Sequence, residues 1–240
     1  MRRRSAPFVA ATATVAALSL TGCIPTLARD EPTPTLGVEP TGAGRPMQQA
    51  ALESALPTSG EIGDSWRADD DGATSRAEVE HFAPTHCAQL ARTGPGWDEV
   101  ADTEQARAEA AYAQEGSSTT DFVSVSIASH GSIAPDELYD KAGDAVADCG
   151  SFRLRHDKET WLEYQTSPLS FPVLGDRTLA YRFTFEAPTD NGPRTVRLDI
   201  VTIKLGHNSV SVSQVSMDDP PDPTVTERAV RTTITRLEQQ

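Results

Sequence analysis

The stretch Thr195-Val-Arg-Leu-Asp-Ile-Val-Thr-Ile-Lys-Leu205, Gly206-His207-Asn208, Ser209-Val-Ser-Val-Ser-Gln-Val-Ser216 decides the fold. Its first part is a long run rich in β-branched residues, which pack well on a pleated surface. Gly206-His207-Asn208 supplies turn chemistry. The second part alternates serine and valine, with Val210 and Val212 directed inward. The whole reads as a two-stranded antiparallel hairpin with one buried and one hydroxyl-bearing face.

Working outward, the cluster Asp218–Pro223 ends the sheet, and a last helix is expected over about Thr224–Glu238, carrying Ala229 or Val230, Ile234 and Leu237. Upstream, Thr178–Glu186 places Leu179, Tyr181, Phe183 and Phe185 on one face and Arg182, Thr184 and Glu186 on the other. Asn191-Gly192 marks the turn between this strand and Thr195. Phe152-Arg153-Leu154 and Trp161–Thr166 form a further pair. Ala106–Gln114 alternates and leads through Gly116-Ser117-Ser118 into Phe122–Ser129, with Val123, Val125 and Ile127 on one side, a second hairpin. Alanine makes a helix an equal alternative over the first of these two segments.

Pro135–Cys149 is the clearest helix. Proline suits its first position, and Asp136 and Glu137 complement the positive end of the helix dipole. Leu138, Ala142, Ala145, Val146 and Cys149 form one apolar stripe, and Gly150 stops the helix. Ala50–Ile62 reads as a short helix broken at Pro57, and Arg67–Gly96 as polar and irregular apart from Phe82 and Cys87. Runs of strands with helices at the edges predict an α+β fold. The sheet is expected to be largely antiparallel, with about 5–7 strands and helices mainly on one face.

The N-terminus speaks to location. Arg2, Arg3 and Arg4 precede an apolar run from Phe8 to Leu20, which ends in Leu20-Thr21-Gly22-Cys23. A charged segment, an apolar segment and small residues before a cut site make a secretory signal peptide over residues 1–22. The apolar run is shorter than the ~20 residues needed to span a bilayer. A cysteine directly after the small pair resembles the bacterial lipobox, in which the thiol takes a diacylglyceryl group. Cys23 is therefore the expected lipid-attachment residue, and the bilayer, reached through the acylated N-terminus, the expected first partner. Residues 23–49, rich in proline, threonine and glycine, read as a flexible tether, and residues 50–240 as one extracytoplasmic domain.

The chain holds 21 basic and 35 acidic residues, net −14. Removing residues 1–22 takes away three arginines and no acids, leaving 18 against 35, or −17. That balance excludes nucleic acid as a partner and disfavours contact of the folded body with anionic headgroups. Cys87 and Cys149 are an even pair in an oxidising compartment and read as a disulfide, with buried free thiols or a metal site as the alternatives.

No catalytic constellation stands out. His81, His86 and Cys87 lie close together but match no zinc-ligand spacing. Asp69-Asp70-Asp71-Gly72 is a fragment of a calcium loop without its downstream glutamate. His130, His156 and His207 could serve as bases, yet no Gly-x-Ser-x-Gly elbow exists. No enzyme activity, metal or cofactor is expected. Tyr181, Phe183, Phe185, Trp161 and Tyr164 are the aromatics able to line an apolar cleft, with Arg182 or Arg194 at its mouth.

Several segments carry a resemblance to a known family. They are the opening Leu56-Pro57-Thr58 with Glu61-Ile62-Gly63-Asp64-Ser65-Trp66, the helix Asp136-Glu137-Leu138-Tyr139 ending at Asp148-Cys149, and the closing hairpin from Val196 to Val212. With the lipobox and tether, these resemble the PknH-like extracellular sensor domains of actinobacteria, which also occur as free-standing lipoproteins. The resemblance covers roughly residues 52–238. It implies an antiparallel sheet with flanking helices, internal disulfides and a cleft for an undefined ligand. The kinase sensor has two disulfides; this chain has cysteines for one. The expected function is a membrane-anchored, non-enzymatic ligand-binding or sensor module of the cell envelope. The alternatives are a module docking an envelope protein, and an envelope hydrolase.

Overall fold

The computed structural model describes residues 42–69, 82–91, 98–114, 121–156 and 160–240. Cys23, His81, Asp70-Asp71-Gly72 and the turn Gly116-Ser117-Ser118 lie outside them. The strands are β1 (Trp66–Ala68), β2 (Phe82–Ala83), β3 (Glu104–Gln114), β4 (Phe122–His130), β5 (Ser151–Arg155), β6 (Trp161–Pro168), β7 (Arg177–Ala187), β8 (Arg194–Leu205) and β9 (Asn208–Met217). The helices are α1 (Gln49–Ala55), α2 (Ser59–Ile62), α3 (Asp98–Ala101), α4 (Asp136–Asp148) and α5 (Pro223–Glu238). The fold is α+β, and every strand pairing is antiparallel.

Two expectations need correcting. The sheet has nine strands rather than 5–7, in the order β1-β3-β4-β9-β8-β7-β6-β5-β2. The extra two are its edges, a three-residue and a two-residue strand inside the stretch read as irregular. The helices also cover both faces rather than one. Nine strands at ~4.8 Å spacing make a sheet about 40 Å wide, far beyond what a helix ~10 Å across can cover.

The cover is therefore diagonal. On one face α1, α2 and α5 seal Val123, Val125, Ile127, Val201, Ile203, Val210 and Val212. On the opposite face, over the other half, α4 and the 3-10 turn Thr85–Ala91 seal Tyr181, Phe183, Phe152, Cys87 and Cys149. Alternation along β8 serves both cores, since Val201 and Ile203 point one way and Leu198 and Ile200 the other. A disulfide joins Cys87 to Cys149, the pairing read from the cysteine count, and fixes the end of α4 to the Thr85–Ala91 turn.

The N-terminal boundary also moves. The sequence reads residues 42–49 as part of the tether, yet Met47 is buried and its N–H donates to Ser129 Oγ at 2.8 Å. Asn208 Nδ2 donates to the carbonyls of Ala43 and Arg45, 2.7 Å each, and His207 N–H to the Gly44 carbonyl at 2.8 Å. Gly206, at φ +56°, permits this contact, because a Cβ there would collide with the Gly44 backbone. These residues form a strap over the β8–β9 turn.

Candidate functional site

The aromatic residues form core rather than a cleft. Tyr181 and Phe183 are buried beneath α4, and Phe152 stacks on Tyr164 at 5.2 Å. Tyr164 meets Phe185 at 4.4 Å. Tyr181 donates from its hydroxyl to the Leu90 carbonyl at 3.0 Å, so its polar end is satisfied. Trp161 stands apart, half-exposed on the opposite face by strand alternation. Neither expected cationic mouth exists. Arg182 lies on the face away from the aromatics and grips Asp199 with two bonds of 2.5 and 2.7 Å. Arg194 is tied to Asp218 at 2.9 and 2.6 Å.

The described surface instead carries two hollows beside the N-terminal half of α4. The first, about 420 Å³, is lined by Tyr139, Asp140, Gly143, Asp144, Arg177, Thr178 and Leu179. The second, about 410 Å³, lies between Gly44, Ile133, Asp136, Asp176, Lys204, Leu205 and Gly206. Both lie where charged side chains of α4 and of β7 and β8 flank the apolar cluster that Leu138, Tyr139 and Ala142 form with Leu179. Arg177 and Lys204 are cross-strand partners on β7 and β8. Lys204 Nζ donates to Asp136 Oδ1 at 2.6 Å, and Arg177 Nη2 to Asp140 Oδ1.

The four-residue spacing of Asp136 and Asp140 sets both carboxylates over this cationic pair. Lys204 is almost wholly covered while Asp136 stays exposed. Hydrogen bonding from Lys204, and then its charge and that of Arg177, hold the Asp136 carboxyl below its ordinary value. Gly143, in mid-helix, leaves open space where a side chain would fill the first hollow. Walls carrying both signs of charge suit a polar ligand that donates and accepts hydrogen bonds.

The remaining sequence candidates sort by burial. His130 is brought to Ser209, with Nε2 3.4 Å from Oγ, while Nδ1 lies 3.3 Å from the Val100 carbonyl and 3.4 Å from Thr103 Oγ1. Both side chains are sealed from solvent, and burial pushes the His130 imidazole below its ordinary value. A base without solvent or substrate access is a structural histidine. His207 Nδ1 lies 3.0 Å from the His130 carbonyl, at the hairpin tip. His86 sits beside Cys87 and Cys149, but those sulfurs are bonded to each other. The Lys204–Asp136 and Arg177–Asp140 pairs were missed at the sequence level. The i, i+4 aspartates on a predicted helix were their visible half.

Among solved structures, the chain is similar to the extracellular domain of PknH from Mycobacterium tuberculosis. The TM-score is 0.58 at 11% identity, over 82% of this chain and 100% of that one. At that identity the likeness concerns the fold. No protein-family model and no curated protein matches the chain.

Proposed function

We propose that this chain is an extracytoplasmic, lipid-anchored binding module that recognises a small polar ligand of the cell envelope and does not transform it. The observation that carries the reading is the pair of hollows flanking α4, walled by Lys204, Arg177, Asp136, Asp140 and Asp176. The fold shared with an extracellular domain of a kinase supports a sensor-like role outside the cytoplasm. The lipobox at Cys23 supports the anchor, through two acyl chains worth ~0.8 kcal/mol per buried methylene. The burial of His130 and Ser209 favours binding over hydrolysis.

The test is to incubate the purified protein with fractionated envelope extract and follow its melting temperature and native mass spectrum. A fraction that stabilises wild type, and loses its effect on Arg177→Ala and Asp140→Ala, is the expected result. Fractions that stabilise neither, with no adduct in the mass spectrum, would remove the reading. Cys23→Ser tests the anchor separately, through loss of partitioning into detergent.

A further inference from the structure

Ten of the twelve arginines among the described residues donate to a carboxylate or a backbone carbonyl. The other two, Arg153 and Arg155, are both on β5 and both exposed. Their guanidinium carbons lie over the Trp161 ring, 5.5 and 4.9 Å from its centroid. Trp161 is the cross-strand partner of Arg155 and 36% exposed. In a chain of net charge −14, two arginines with no acid partner among the described residues, both over an exposed tryptophan, are conspicuous. By strand alternation they share the face that carries Glu163 and Arg182, and no described helix packs on that side of β5 and β6.

We infer that Arg153, Arg155 and Trp161 form a docking site for an acidic peptide segment of a partner protein. The inference rests on the binding-module reading but concerns a different face from the hollows. Guanidinium groups held over an aromatic ring are pre-oriented forks for carboxylates, with donors left to give. Tryptophan and arginine are also the side chains that dominate protein–protein interfaces.

Two observations select the partner. Glu163 is the cross-strand neighbour of Arg153, and the body is strongly acidic, so a dense polyanion is repelled where a sparsely charged peptide is not. The site is also remote from the strap. The strap lies beside Gly206, at the Lys204 end of the ladders, whereas Trp161 lies beyond the Tyr164–Phe185 pair at the opposite end. An anionic bilayer is disfavoured on the same ground of charge.

The experiment uses the full chain and a fluorescein-labelled octapeptide alternating Glu and Thr, followed by anisotropy at low salt. Polyphosphate and phosphatidylglycerol vesicles serve as comparison probes. The peptide should bind, weaken steeply with salt, and lose at least about tenfold in affinity on Arg153→Ala/Arg155→Ala and on Trp161→Ala. Arg153→Lys/Arg155→Lys keeps the charge and loses the fork, and should also bind more weakly; its melting temperature reports that the fold is intact. Absence of peptide binding, equal binding by the alanine variant, or a preference for polyphosphate or vesicles would each overturn the inference. An envelope fraction that still stabilised the protein would then leave the ligand reading standing, and peptide binding without such a fraction would do the reverse.

Discussion

Asp199 is 3% exposed, and Arg182 meets it with both prongs of its guanidinium. Removing one partner of such a pair strands a buried charge, which costs about 3–5 kcal/mol, whereas replacing both with apolar groups is often neutral. Arg182→Ala should therefore lower the stability measured in urea by that amount, and Arg182→Met/Asp199→Leu should recover most of it. A ligand role for Arg182 predicts the reverse, an alanine variant that folds normally and fails only in binding. Asp136 illustrates a weaker kind of pairing. Its folded-state pKa lies below the unfolded value near 3.8, so its contribution is complete above that value and is lost as pH falls through the lower folded one. Melting temperatures between pH 6 and 2 should fall less steeply for Asp136→Asn than for wild type. Glu61, held low by the Thr58 backbone N–H and Arg236, and Asp218, held low by Arg194, keep the variant acid-sensitive. Identical slopes would mean that solvent screens the Lys204–Asp136 pair completely.

At the scale of elements, α4 is held differently at its two ends. Its C-terminal end is bonded through Cys149 to Cys87, 62 residues away in sequence, and its N-terminal half packs Leu138, Tyr139 and Ala142 in an apolar cluster flanked by two ion pairs. Cys87→Ser should cost about 4 kcal/mol on the chain-entropy estimate, and equal melting points in oxidising and reducing buffer would contradict the bridge. The helix, the two hairpins and the cysteine pair were legible because each carries its own period or punctuation. The two-sided helix cover was legible only as a slip in β8. There the apolar residues fall on even positions up to Ile200 and on odd positions from Val201, so one strand feeds two cores. The edge strands β1 and β2 were illegible, since two or three residues hold no period. The hollows were equally hidden, since Lys204 and Asp136 are 68 residues apart and nothing local pairs them. An edge device escaped as well. The Gln49 amide accepts from Arg107 N–H at 3.1 Å and donates to the Arg107 carbonyl at 2.7 Å, occupying the outer edge of β3 as a strand would. Gln49→Ala should speed hydrogen exchange at Arg107 and promote association at raised concentration.

Over the whole molecule, the strap ties residues 43–47 to the β8–β9 turn, to the core and to the C-terminal residue. Ala43, Gly44 and Arg45 hold the β8–β9 turn, Met47 fills the core beside β4, and Arg45 Nη2 donates to the C-terminal Gln240 carbonyl at 2.8 Å. Gly44 is also a wall of the second hollow. Residues 42–47 therefore belong to the folded body, and Gly44 couples them to the hollow. Burial of Met47 and these hydrogen bonds favour the docked strap, and the conformational entropy of ordering its residues opposes it. A chain beginning at Ala50 should then fold, but melt several degrees below one beginning at Gly42. Gly206→Ala in the full chain should reproduce that loss, because its Cβ occupies the place of Gly44. If the hollow is a ligand site, both changes should also weaken binding of the stabilising envelope fraction by more than they lower stability. Equal melting points for the two chain starts would return residues 42–49 to the tether and uncouple the hollow from it.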